Sequence, residues 1–229
     1  MVAIIDYGLS NLFSVNKACA RIGVDSAITS SRHEIMQSDA VILAGVGAFG
    51  EAMRSLKELD IVGVLRDYAS SGRPFLGICL GMQLLMTASE EFGYHIGLDI
   101  VKGKVKKLAD VGSDGSTIKV PHVGWSSVYP SLTGKCGPSY ESAGSWSGTP
   151  LDGIPPGFKA YFSHSYFAEP NDPATAIAFT DYGNNTFCSG LRCSNVTAFQ
   201  FHPECSGPYG MKIYENILLE FNTGKQKER

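Results

Sequence analysis

Across the first part of the chain, short apolar runs alternate with longer stretches in which hydrophobic positions recur every three or four residues. Val2–Asp6 is the first run, ending in a carboxylate before the turn Tyr7-Gly8-Leu9-Ser10-Asn11. Asn11 stands at an N-cap position and predicts a helix from Leu12 to about Ile22. Ala27–Thr29 reads as a weaker strand, and Ala40–Leu43 as a clear one running into Gly45-Val46-Gly47. Ala52, Met53, Leu56 and Leu59 then mark one helical face, and a further helix over about Ile61–Ser71 stops at Gly72. Phe75–Cys79 is a buried strand with Leu80–Ser89 as its helix. Apolar strands alternating with helices call for a parallel sheet covered on both faces. Such sheets bind ligands at the carboxyl ends of their strands, where Asp6, Gly45–Gly47 and Cys79 all fall.

After about Gly97 the period shortens. Lys102–Leu108, Ser127–Tyr129, Ala160–Phe167, Ala174–Thr180, Thr186–Leu191 and Val196–Phe201 are strand-like, separated by Gly, Pro, Asn or Asp. This half is therefore expected to be mostly antiparallel, closed by a helix over about Pro208–Phe221. Ser131–Gly157 is rich in Gly, Ser and Pro and predicts a long exposed loop insertion, and Gly224–Arg229 a charged, frayed tail. No repeat or linker divides the chain, so residues 1–229 read as one domain.

Composition changes this picture only by exclusion. A net charge of -3 gives no electrostatic reason to expect nucleic acid or a membrane surface as partner. Val2–Asp6 meets a carboxylate too early for a signal peptide, and no apolar run approaches the length of a membrane span. The six cysteines contain no C-x-x-C pair and no disulfide-framework spacing, which fits a reduced, cytoplasmic setting.

Candidate chemistry begins at Gly77-Ile78-Cys79-Leu80-Gly81, the cysteine counterpart of the G-x-S-x-G nucleophile elbow. A tight strand-to-helix turn strains its central residue, and a helix N-terminus favours a thiolate. A buried structural cysteine fits the same five residues, so a base must decide. Of the five histidines, His33 and His95 lie in polar surroundings and read as surface residues. His202 instead ends an apolar strand and is followed by Pro203 and Glu204; the carboxylate could fix its tautomer as an Asp does in a serine triad. His122, His164, His202 and Cys205 lack zinc-module spacing, so no metal is expected. The bare backbone of Gly45-Val46-Gly47 could donate N–H groups to an oxyanion beside the N–H of Leu80, or form a simple tight turn.

Gly77–Gln83 together with Phe201-His-Pro-Glu204 resembles the class I (triad) glutamine amidotransferases. Asp6-Tyr7-Gly8-x-x-Asn11, Gly45-Val-Gly-Ala-Phe-Gly50, Pro121-His122-x-Gly124-Trp125 and Tyr161-Phe162-x-His164-Ser165-Tyr166 narrow the resemblance to the HisH-type glutaminase subunits of imidazole glycerol phosphate synthase. The resemblance implies an α/β, flavodoxin-like fold: a mostly parallel central sheet, flanking helices and an antiparallel addition. It implies that Cys79 attacks the carboxamide of L-glutamine while His202 shuttles protons and Glu204 orients it. Gln83, Glu91, Ser165 and Tyr166 would hold the amino and carboxylate ends of glutamine, and Gly47 would line the pocket. Leu80 and a Gly45–Val46 peptide that must reorient would form the oxyanion hole. No cofactor is implied. The ammonia would pass to a HisF-type (β/α)8 cyclase, giving imidazole glycerol phosphate and aminoimidazole carboxamide ribotide, with Asn11 and Trp125 at the interface and gate.

The chain departs from that pattern at Ala44 (usually Pro), Ser126 (commonly Asn), Cys205 (usually a Lys that reaches the partner) and the long 131–157 segment. Those changes leave two further readings: a HisH-type paralogue feeding surface-sugar synthesis, or a silent binding module, which the intact Cys79, Gln83, His202 and Glu204 oppose.

Overall fold

A computed structural model describes residues 1–9, 11–112, 114–130 and 146–227. The first part of the chain forms β1 (Val2–Ile5), α1 (Leu12–Arg21), β2 (Ser26–Thr29), α2 (Arg32–Gln37), β3 (Ala40–Gly45), α3 (Phe49–Glu58), α4 (Val62–Ser70), β4 (Phe75–Cys79) and α5 (Leu80–Leu84). There follow β5 (Ala88–Ser89), β6 (His95–Ile96), β7 (Gly103–Lys107), β8 (His122–Pro130), β9 (Phe158–His164), β10 (Tyr166–Pro170), β11 (Ala176–Tyr182), β12 (Asn185–Cys193) and β13 (Val196–Phe199). A 3₁₀ turn over Pro203–Cys205 leads into α6 (Gly207–Lys227).

A nine-stranded sheet runs in the order β2-β1-β3-β4-β13-β12-β11-β8-β9. Its first five strands are parallel, and from β13 onward the neighbours are antiparallel. The antiparallel addition expected in the second half is thus continuous with the parallel sheet. A second, four-stranded sheet, β10-β7-β5-β6, lies beside it. Strands β1, β3 and β4 are buried along their whole lengths because both faces are covered. On one face α3 contributes Phe49, Ala52, Met53 and Leu56. Burying each of the large side chains there contributes roughly 1.5–3 kcal/mol. On the other, α1 and α6 contribute Val15, Ala18, Ile213, Tyr214 and Ile217.

Several sequence expectations need correction. The helix after Cys79 ends at Leu84, not Ser89. The carbonyls of Leu84, Leu85 and Met86 instead accept from Leu98, Ile100, Val101 and Asp99, so long-range pairing displaces the local helix and Ala88–Ser89 becomes a strand. Ala160–Phe167 is two strands in different sheets, broken at Ser165. α2 was not expected, although Ser31-Arg-His-Glu34 carries a capping signature and the Ser31 hydroxyl accepts from Glu34 N–H at 3.4 Å. Asn11 precedes α1 but its side chain makes no capping hydrogen bond. Leu59 lies just past α3 and is exposed. The last helix runs past Phe221 to Lys227.

The loop expected over Ser131–Gly157 lies outside the described residues as far as 145. From Trp146 onward it is not an exposed loop: Trp146, Leu151 and Ile154 are buried. The Trp146 indole donates to the Ile177 carbonyl at 2.9 Å and meets Phe158 edge-on. A Gly/Ser/Pro-rich composition hid three apolar anchors.

Candidate active site

Cys79 ends β4 with φ 53° and ψ −110°, a backbone conformation that costs a non-glycine residue free energy and needs support from its surroundings. The support is visible at the flanking glycines. A Cβ on Gly81 would lie 1.7 Å from the Leu43 carbonyl oxygen, and one on Gly77 would lie 2.9 Å from the Ala198 Cβ. The neighbouring strands therefore close on the turn so tightly that only hydrogen fits. Strand register places Gly45 directly beside Cys79.

β13 delivers His202 to the same end of the sheet. Its ring Nδ1 lies 2.8 Å from Glu204 Oε1, and both side chains are almost wholly buried. The backbone is pinned as well: His202 N–H donates to the Tyr161 carbonyl, and the Ser206 hydroxyl donates to the His202 carbonyl. α6 packs against this turn through Gly210, where a Cβ would lie 1.9 Å from the Pro203 carbonyl oxygen. Burial opposes charging the imidazole, but hydrogen bonding and charge from Cys79 and Glu204 outweigh it and raise His202 to about 11. An imidazolium held between a carboxylate and a thiol sets a proton donor and acceptor directly against the candidate nucleophile.

In front of Cys79 lies a cavity of about 210 Å³. Val46, Gly47, Leu80, Gln83, Glu91, Ser165 and Tyr166 line it, together with Pro121, Ser163 and His164, which sequence reasoning did not include. Gln83 spends both amide hydrogens inside the protein, on the Tyr166 carbonyl at 2.7 Å and Gln200 Oε1 at 3.1 Å. That leaves its Oε1, an acceptor suited to an ammonium group. Glu91 Oε2 accepts from Phe49 N–H at 2.6 Å, which ties a wall of the cavity to the start of α3.

Val46 N–H donates to the Leu9 carbonyl at 2.9 Å, so the Gly45–Val46 peptide is engaged away from the thiol. Tyr7 packs on Gly45; burial, and then the charge of Cys79, push its hydroxyl well above the ordinary tyrosine range, and that hydroxyl finds no hydrogen-bond partner among the described residues.

Asn11 and Trp125 lie outside the cavity, on the surface. Trp125 is 54% exposed and meets Tyr161 edge-on, and Tyr161 in turn flanks the His202 ring. Gln200 was also missed. It is fully buried and its amide donates to Cys79 Sγ at 3.8 Å. The signal was a polar residue inside the apolar run just before His202. His122 and His164 are buried cross-strand partners with ring nitrogens 3.2 Å apart. Among the described residues no three His, Cys, Asp or Glu side chains are placed to hold a metal ion.

The sequence profile of the family "Glutamine amidotransferase class-I" matches residues 3–221. The chain belongs to the class-I glutamine amidotransferases. This amidotransferase is 38% identical over 217 residues to the imidazole glycerol phosphate synthase subunit HisH 1 of Legionella pneumophila, covering 95% of this chain and 98% of the relative. It is 41% identical over 215 residues to the subunit HisH of Aquifex aeolicus, covering 93% and 94%. Among solved structures, that of PurLQS from Thermotoga maritima superposes with a TM-score of 0.66 over 96% of this chain and 97% of that one. At 16% identity that likeness concerns the fold alone.

Proposed function

We propose that this amidotransferase is the glutaminase subunit of an imidazole glycerol phosphate synthase. The observation that carries the reading is the strained Cys79 beside a His202–Glu204 pair, in a chain 38–41% identical to HisH subunits. In this reading the Cys79 thiolate adds to the side-chain carbonyl carbon of L-glutamine. Leu80 N–H and, once its peptide turns, Val46 N–H stabilise the oxyanion. His202 gives a proton to the departing nitrogen, ammonia leaves, and a γ-glutamyl thioester remains on Cys79. Water, deprotonated by His202, then releases glutamate and the thiol. Glu204 keeps the imidazole oriented through both steps.

Gln83 Oε1 and Glu91 suit the α-ammonium of glutamine, and the Ser165–Tyr166 backbone its carboxylate; Gly47 lines the way in. The ammonia would pass to a (β/α)8 cyclase docked over Trp125 and Asn11. A closed route matters because ammonia released into water is protonated and stops being a nucleophile. A cytoplasmic location fits the cysteine usage: among the described residues, Cys19, Cys79, Cys193 and Cys205 form no disulfide. No helix among the described residues is long and apolar enough to cross a membrane.

Complementation of a histidine auxotroph lacking this subunit tests the reading. Growth supports it, whereas no growth from a chain that still hydrolyses glutamine would point to another acceptor. The exposed Cys205, standing where a partner-reaching lysine is usual, is where such a change of partner would be written.

A further inference from the structure

The buried His122–His164 pair belongs to a longer hydrogen-bonded chain whose direction is set by chemistry. His164 Nδ1 lies 2.9 Å from the Tyr166 carbonyl, which can only accept, so Nδ1 carries the proton. With a neutral ring, His164 Nε2 is then an acceptor, and His122 Nδ1, 3.2 Å away, must donate to it. That leaves His122 Nε2 as an acceptor for the Ser126 hydroxyl at 2.8 Å. Burial keeps both rings neutral, lowering His122 to about 4 and His164 to about 3. No other tautomers of two neutral rings satisfy all three contacts. The far end of the chain is equally constrained. The Tyr166 carbonyl also accepts from Gln83, Gln83 donates to Gln200, and Gln200 donates to Cys79 Sγ.

We propose that Ser126, His122 and His164 form a positioning relay that fixes the Tyr166 carbonyl, and through it the Ser165–Tyr166 backbone and the Gln83 amide, for glutamine binding. The relay rests on the glutaminase reading above. It begins at Ser126, next to the exposed Trp125 on β8, and ends at the cavity wall in front of the thiol. His122 is suited to a fixed role because its ring is stacked between Phe162 and Tyr182, at centroid distances of 4.9 Å and 4.0 Å. Neither histidine needs to exchange a proton with substrate; each holds the next group in place. The arrangement also accounts for Ser126. A hydroxyl supplies the donor that the amide of an asparagine would supply at that position.

Steady-state glutamate release by the full chain tests the relay through the separation of KM from kcat. Ser126→Ala removes the donor and is expected to raise the KM for glutamine about five- to twentyfold, with kcat within twofold. Ser126→Asn restores a donor and should return KM toward that of the parent. His122→Phe keeps the stack but breaks the relay, and should raise KM at least as far as Ser126→Ala. An unchanged KM in both Ser126→Ala and His122→Phe overturns the relay while leaving the glutaminase intact. An inactive parent chain overturns the glutaminase reading instead. Nitrogen-15 NMR of the histidine rings decides the relay without turnover. It predicts the Nδ1–H tautomer for both His122 and His164 at neutral pH, and finding the Nε2–H tautomer in either one defeats it.

Discussion

The N–H of Val46 is bonded to the carbonyl of Leu9 at 2.9 Å, although the preceding residue, Gly45, is the strand neighbour of Cys79. An oxyanion forming at Cys79 would find the Leu80 N–H opening α5 but not this second donor. Loss of one oxyanion donor typically costs about 10²–10³ in turnover. The isolated chain is therefore expected to hydrolyse glutamine slowly and to gain about that factor when the proposed barrel cyclase is added. Val46→Gly lowers the cost of turning the peptide, because glycine tolerates both signs of φ. It should raise partner-free turnover several-fold. Fast hydrolysis by the unmodified chain alone, measured as glutamate release, would show that the Leu9 contact does not restrain the site.

Cys79→Ala should abolish glutamine hydrolysis and leave the fold intact, because the structural contacts of the Cys79 sulfur are weak: it lies 3.7 Å from the Ser163 carbonyl and 3.8 Å from the Gln200 amide. Its interaction with His202 serves the chemistry, while the His202 turn is pinned by its own backbone hydrogen bonds. An alanine also relieves nothing of the strained φ of 53°, so the elbow is held by its neighbours and not by the sulfur. Thermal melting of the variant is expected within a few degrees of the parent. Residual turnover near the parent rate would remove Cys79 from the chemistry.

The elbow and the strand-end histidine were legible in the sequence because each is a local pattern: glycines two residues either side of a cysteine, and an apolar strand stopped by His-Pro-Glu. The parallel strands were legible for the same reason, since Val2–Ile5, Ala40–Gly45 and Phe75–Cys79 are buried on both faces and so read as unbroken apolar runs. What escaped depended on distant partners. α5 stops at Leu84 because residues 98–101 claim its carbonyls, and nothing in Leu84–Ser89 announces that. The break at Ser165 is a change of sheet with no change of pattern. Gln200, His122 and His164 became site residues only when register set His122 opposite His164 and the β13 end beside Cys79.

Two glycines predict opposite outcomes from the same substitution. At Gly81 a Cβ would lie 1.7 Å from the Leu43 carbonyl oxygen, so β3 or the elbow must shift. Gly81→Ala is expected to cost roughly 1–3 kcal/mol or more and to reduce turnover sharply, since the thiol moves with the turn. Gly63, exposed in the first turn of α4, meets nothing within 4 Å. Gly63→Ala should stabilise by about 0.5–1 kcal/mol through helix propensity alone, without altering activity. Denaturant unfolding and the glutaminase assay on the two variants check both halves, and a stable, active Gly81→Ala chain would contradict the packing argument.

The buried histidines also set how the fold responds to acid. His122 and His164 are held neutral by burial, with folded values of about 4 and about 3 against 6.5 for a free imidazole. Between pH 6.5 and about 4 the unfolded chain therefore binds protons at these two sites that the folded chain does not. Stability rises with pH wherever the unfolded state binds more protons, so it must fall as the solution is acidified through this window. His202 shifts the other way, to about 11, so it is protonated in both states below pH 6 and adds no slope there. Each buried neutral histidine contributes up to about 1.4 kcal/mol per pH unit, and over the window the two together amount to several kcal/mol at most. Urea midpoints measured from pH 7 down to pH 4.5 should show this decline. His122→Phe keeps the stack on Phe162 and Tyr182 but removes one of the two titrating rings, so its decline should be visibly shallower than that of the parent. An equal slope in the two proteins would mean that His122 is not the neutral, buried donor to His164 described above.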